Sequence, residues 1–153
     1  MKAIGYQTAT KTLSNHSFEA IELPIPTASG HDLLVEVKAI SVNPVDAKIR
    51  ANVSPEQGHK VIGWDTVGIV KAVGDKVSLF NLGDRVYYAG DLTRSGSNAE
   101  FQLVDERIVG RAPTTLNDAQ AAALPLTSIT AWELLFDRLQ ISRSNNAKPA
   151  SLL

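Results

Sequence analysis

Gly63-Trp64-Asp65-Thr66-Val67-Gly68-Ile69-Val70-Lys71-Ala72-Val73-Gly74, followed by Gly83-Asp84-Arg85-Val86, is the stretch whose reading decides the fold. Thr66 to Val73, rich in β-branched residues, and Asp84 to Tyr88, with Val86 and two tyrosines, read as half-buried strands. Glycines 63, 68, 74 and 83 punctuate them, and glycine tolerates positive φ or close backbone approach at bulges, tight turns and barrel corners. Val73-Gly74-Asp75-Lys76-Val77 therefore reads as one turn and Asn81-Leu82-Gly83-Asp84 as a second that opens the next strand.

Working outward, Leu33-Leu34-Val35-Glu36-Val37-Lys38-Ala39-Ile40 places Leu33, Val35, Val37 and Ala39 on one face and Glu36 and Lys38 on the other, as expected of a half-buried strand. From Met1 to about Pro113, apolar runs broken by Gly, Pro, Asn and Asp predict an all-β barrel or sandwich. After Pro113 the texture turns helical. Asn117 can cap, Gln120 completes a capping box, and Ala119 to Leu124 are helix formers up to Pro125. In Ser128 to Leu139, Ile129, Trp132, Leu135, Phe136 and Leu139 recur at helical spacing and predict one buried stripe. Ser142 to Lys148 reads as a polar connection, and Ala150-Ser151-Leu152-Leu153 as the opening of a buried strand, so that the chain reads as cut.

With 153 residues, 44% of them apolar and 20% charged, the length suits a single domain of ordinary globular composition. A formal net charge of -1 and the lack of any Lys/Arg run give no footprint for nucleic acid or an anionic membrane. The absence of cysteine removes disulfides, thiolate zinc sites and cysteine nucleophiles. No stretch approaches the roughly 20 apolar residues that span a bilayer, and no signal peptide is present, so a cytoplasmic location is the default. No GxGxxG is found, Ser142 and Ser144 lack a nucleophile elbow, and His16, His31 and His59 are too scattered to suggest a metal site and read as solvated.

Four blocks in order, Gly63-x-Asp65-x-x-Gly68-x-Val70, Gly83-Asp84-Arg85-Val86, Ala99-Glu100-Phe101 and Ala122-Ala123-Leu124-Pro125, resemble the medium-chain dehydrogenase/reductase superfamily along nearly the whole chain. Zinc-dependent alcohol dehydrogenases of that superfamily read Gly-His-Glu where this chain has Gly63-Trp64-Asp65, and they place a cysteine where it has Asn43-Pro44-Val45-Asp46. The resemblance is thus to the zinc-free, quinone oxidoreductase-like branch. It implies a mainly β fold with C-terminal helices, a GroES-like β-barrel truncated before the Rossmann cofactor domain. The implied division is a substrate domain over residues 1–127, a connecting helix and linker over 128–149, and the start of a missing nucleotide-binding domain at 150–153. The glycine-rich turn that would hold the dinucleotide pyrophosphate would follow Leu153.

The same resemblance implies an oxidoreductase that uses NADPH without zinc and transfers hydride to a quinone or α,β-unsaturated carbonyl, as a homodimer when full-length. The fragment alone is expected to be inactive and to hold NADPH poorly. Asn43 and Lys48 are the candidate catalytic residues, Asn43 and Thr130 the candidate nicotinamide contacts, and Asp46 and Trp64 the candidate pocket residues. Residue types alone leave blander roles open. Asn43-Pro44 is also a good N-cap and N1 pair with Asp46 in the first turn. Lys48 is also an ordinary surface lysine, or a group that stabilises charge on a carbonyl oxygen. An indole cannot ligate zinc, so Trp64 is expected to pack. Asp65 is a candidate partner of Arg50 or Lys48, and Asp84-Arg85 a candidate ion pair. The competing readings are a zinc-type alcohol dehydrogenase, whose ligands Asn43 and Trp64 do not supply, and a stand-alone GroES-like binding module.

Overall fold

The structure, a computed structural model, describes residues 1–12, 14 and 17–142. Two antiparallel sheets make up its β part. Strands β1 (Lys2–Tyr6), β2 (Glu19–Glu22) and β4 (Lys60–Val61) form a three-stranded sheet in the order β2-β1-β4. Strands β3 (Asp32–Ser41), β5 (Asp65–Val73), β6 (Arg85–Ala89), β7 (Phe101–Asp105) and β8 (Gly110–Arg111) form a five-stranded sheet in the order β7-β3-β5-β6-β8. Residues 98–100 stitch the sheets together: Ile4 N–H donates to Asn98 O at 2.8 Å, Glu100 N–H to Lys2 O at 3.0 Å, and Val37 N–H to Glu100 O at 2.9 Å.

The decisive stretch forms β5, as its residues direct. Gly68 faces Val37 across the β3–β5 ladder, and a Cβ there would lie 2.4 Å from both the Glu36 carbonyl oxygen and Val35 Cγ1, so only glycine lets the strands approach. Both turns that punctuate the stretch are present, closed by Val77 N–H to Gly74 O at 3.2 Å and by Asp84 N–H to Asn81 O at 3.1 Å.

Leu33, Val35, Val70, Phe80, Val86, Tyr88 and Val104 form the main core, each large aliphatic side chain contributing about 1.5–3 kcal/mol by leaving water. The expected alternation along β3 holds only in part. The register slips by one residue between Val37 and Ala39, leaving Lys38 as a bulge. Ala39 therefore turns to the opposite face and packs with Val67, Ala121 and Ala122. A second slip between Leu34 and Val35 leaves Lys71 extra on β5, and both bulge lysines pair with Glu36, at 2.8 and 2.9 Å.

Helix α1 (Pro44–Asn52) follows β3, and its Val45 and Ile49 pack on Tyr6, Ile62 and Trp64. Helix α2 (Asp118–Ala122) has the expected box, Gln120 N–H donating to Asn117 Oδ1 and Asn117 N–H to Gln120 Oε1. Helix α3 spans Pro125–Trp132, beginning three residues before the expected Ser128, because Pro125 suits a first helical position. It runs on as a π-helical turn over Glu133–Arg138. The apolar stripe along it is only partly buried: Leu135 and Phe136 are half-buried, with Phe136 edge-on to Trp132 at 4.7 Å, while Ile129 is 54% and Trp132 51% exposed. Helical periodicity identifies a face without stating how much of it is covered. The expected connection beyond Ser142 and the strand at Ala150 to Leu153 lie outside the described residues.

Candidate functional site

The site is built where the N-terminus of α1 meets the N-terminus of α3. Asn43 occupies the N-cap of α1, and its N–H donates to Asp46 Oδ2 at 2.8 Å. Asp46, buried in the first turn, thus satisfies one of the donors that a helix start leaves open. The Asn43 carboxamide reaches the other way, Nδ2 donating to Asp65 Oδ2 at 2.9 Å.

Asp65 is fully buried, and its second oxygen, Oδ1, accepts the Leu126 N–H at 2.8 Å. That bond explains how α3 begins. Its N-cap is Leu124, which has no side-chain acceptor, so the carboxylate of a distant strand does the capping. Burial pushes the Asp65 carboxyl up from its ordinary value, the bonds from Asn43 and Leu126 pull it back, and the nearby Asp46 charge pushes it up again. The expected pairing of Asp65 with Arg50 or Lys48 is corrected: its oxygens go to Asn43 and Leu126. Arg50 instead donates to the Thr10 and Thr12 carbonyls and lies over the Phe18 ring.

Thr130 stands one turn along α3, exposed, its Oγ1 donating to Leu126 O at 2.8 Å. The hydroxyl hydrogen is thereby used and the oxygen lone pairs remain to accept. Lys48 is exposed on α1, and no ion pair of it occurs among the described residues; its carbonyl accepts from Asn52 Nδ2. Trp64 does not line an open pocket. It is 2% exposed in the cluster with Tyr6 and Ile62, and its Nε1 donates to Asp91 O at 3.2 Å. Packing is its role. The chain thus links Asn43, Asp46, Asp65 and the start of α3, while Trp64 supports them from behind and Lys48 stands apart. An open groove of about 870 Å³ between β1, β2 and the end of β3 includes none of the expected site residues.

The other polar expectations need correction as well. Asp84 and Arg85 do not pair with each other: Arg85 binds Asp118 at 2.7 Å, with Pro113 O and Leu116 O, and Asp84 binds Arg111 at 3.2 Å. Asp84 closes the turn before β6, its Oδ2 accepting the Asn81 N–H at 2.9 Å, while Arg85 opens the strand and points toward α2, so the adjacent charges diverge. His31 and His59 are not simply solvated. His31 Nδ1 contacts the buried Glu106 at 2.9 Å, and His59 Nε2 contacts Glu19 at 3.1 Å. His16 lies outside the described residues. Residue type and spacing around Asp65 do not mark its role at the junction. The signal was present in Leu124-Pro125, a helix start without a local cap that needs an acceptor from elsewhere.

A bulged five-stranded sheet stitched to a three-stranded one, with helices at one end, defines a GroES-like domain, and the polar junction between α1 and α3 is its candidate site. The alcohol dehydrogenase GroES-like domain family matches residues 29–114, and the chain belongs to that family within the medium-chain dehydrogenases and reductases. A zinc-type alcohol dehydrogenase-like protein of Staphylococcus epidermidis is 46% identical over 154 residues, covering 100% of this chain and 46% of the relative. A Rhizobium etli CFN 42 protein assigned to the zinc-dependent alcohol dehydrogenases shares 59% identity and superposes with a TM-score of 0.89, over 96% of this chain and 43% of its own. Escherichia coli quinone oxidoreductase, solved with NADPH, shares 25% identity with a TM-score of 0.74, over 88% of this chain and 40% of its own. The chain therefore spans less than half the length of these relatives. Each of these relatives is named for a dehydrogenase or an oxidoreductase. No helix among the described residues is long and apolar enough to cross a membrane.

Proposed function

We propose that this chain is the substrate-binding part of a zinc-independent, NADPH-dependent oxidoreductase that transfers hydride to a quinone or α,β-unsaturated carbonyl. We assign residues 1–127 as that domain, 128–149 as a connection and 150–153 as the start of a nucleotide-binding domain. In this reading the whole protein is a cytoplasmic homodimer with a small-molecule substrate and no nucleic-acid or membrane partner.

The observation that carries the reading is the chemistry of the Asn43–Asp65–α3 junction. One Nδ2 hydrogen of Asn43 goes to Asp65, and the other remains to donate. Thr130 spends its own hydrogen on Leu126 O and keeps an acceptor. A donor from α1 and an acceptor from α3 have the polarities that a primary carboxamide such as that of nicotinamide carries, and Asn43 and Thr130 are the residues that would hold it. The nicotinamide supplies hydride when bound; this chain's residues orient it and the acceptor and keep water away.

Zinc does not fit the residues at this place. Trp64 has no ligating atom and is closed in the core, Asp65 has both oxygens bonded, and the chain has no cysteine. Among the described residues no group of three His, Cys, Asp or Glu side chains comes together to hold a metal ion. Polarisation of a carbonyl then rests on hydrogen-bond donors, with Asn43 and the exposed Lys48 as candidates. The test is to express the gene read past codon 153 and follow NADPH oxidation with quinones and enones in the presence of a chelator. Turnover that survives the chelator supports the reading; alcohol oxidation restored only by zinc overturns it.

A further inference from the structure

Asp65 accepts from two elements that have no other reason to meet. A carboxylate can only accept, so the partner it meets must present N–H. The Leu126 N–H is a backbone group and cannot turn round, whereas the Asn43 carboxamide can present either its nitrogen or its oxygen. With Asp65 Oδ2 at 2.9 Å, only the nitrogen is tolerated there. The carboxylate is buried, so water does not compete for these bonds.

We propose that Asp65 is a positioning residue: it locks the Asn43 carboxamide in the single rotation that leaves one Nδ2 hydrogen facing outward, and it fixes that amide to the first turn of α3, which carries Thr130. This rests on the reading of Asn43 as the residue that faces the ligand. Asp65 itself touches neither cofactor nor substrate. Its consequence is that donor and acceptor, on two helices far apart in sequence, are set by one carboxylate.

Replacing Asp65 by asparagine gives the sharpest contrast. The introduced carboxamide must offer its oxygen to the Leu126 N–H, which leaves its NH2 against Asn43. Two NH2 groups cannot pair, so Asn43 must turn round and present Oδ1, and its donor is lost from the old direction.

The test is side-chain amide NMR on the labelled 153-residue chain. In the wild type the Asn43 Nδ2 protons should shift on the same titration curve as the Asp65 carboxyl carbon. In Asp65→Asn they should move upfield toward a carboxamide without a charged acceptor, while backbone amides of β3 and β7 stay in place. Asn43 signals that ignore the Asp65 titration, or that stay unmoved in Asp65→Asn, overturn the proposal. If Asp65→Asn does not fold, the wild-type titration decides alone. The ligand assignment is read separately, from the KM for NADPH of Asn43→Ala in the protein expressed past codon 153. A coupled titration with an unchanged KM there upholds the positioning and removes only the ligand.

Discussion

Strand β5 and helix α3 are joined at one carboxylate, yet they differ in how their apolar residues end up. Val67 and Val70 of β5 are 0% and 1% exposed, whereas Ile129 and Trp132 of α3 remain 54% and 51% exposed. Both segments carry a clean apolar pattern. Val70 is closed in by Leu33, Val35 and Val86 and Val67 by Ala112, Ala121 and Ala122, whereas Trp132 stacks edge-on against Phe136, one turn along, at 4.7 Å between ring centroids and stays half exposed. An apolar periodicity states which face must be covered; only the rest of the fold states whether anything covers it.

The contrast predicts a graded set of losses. Leu33→Ala in the barrel should cost about 2–5 kcal/mol, seen as a lower urea midpoint with an unchanged denaturant slope; a midpoint within error of wild type would mean that the barrel core is not what holds the domain. At the junction, Asp65→Ala unpartners Asn43 and the Leu126 N–H and should cost about 1.5–3 kcal/mol. Hydrogen exchange at the start of α3 should rise with it, while exchange in β3 stays slow. Uniform protection loss across both would show that strand and helix are not separate units.

Acid should separate the two regions further. The His31 contact, with the Ser78 and Leu79 N–H groups, holds Glu106 below its ordinary value, so its stabilisation is present above the unfolded value of 4.5 and is lost as pH falls through the lower folded value. Burial raises Asp65, so its contribution has the opposite sign: favourable below the unfolded value of 3.8 and lost as pH rises through the higher folded value. Glu106→Gln should therefore flatten the loss of stability on acidification and Asp65→Asn should steepen it, both read from urea midpoints across the acid range. The same slope in both variants would refute the assignment of opposite signs. The smallest effect is expected on the helix face, where Trp132→Ala removes the edge-on stack against Phe136 and should cost about 0.5–1.5 kcal/mol; a loss comparable to Leu33→Ala would mean that the stripe is packed like the barrel core.

Much of this architecture was legible in the sequence. The Thr66 to Val73 run, the glycines around it and the Asn117/Gln120 box appear where the residues put them, because each signal is local. The turn of Ala39 to the far face was not legible, because a bulge depends on how two strands register and leaves no mark in one of them. At the site, Asn43 as N-cap and Trp64 as a packing residue could be read from residue type. The Asp65 bonds to Asn43 and Leu126 could not, since they join positions 22 and 61 residues apart in sequence. Asp84 and Arg85 are adjacent in the chain yet do not pair, because Asp84 is held in the turn and Arg85 opens the strand, and each finds its partner at a distance in sequence, Arg111 and Asp118.

Zinc content tests the central claim most directly, because the relatives include proteins named zinc-type while the residues at this junction are an amide, an indole and a carboxylate whose oxygens are both bonded. The measurement is native mass spectrometry of the purified chain after incubation with zinc and gel filtration. A zinc-free junction should give the mass of the bare polypeptide, 16.4 kDa, with no stoichiometric adduct. One zinc per chain that survives filtration and is lost in Asp65→Ala would contradict it.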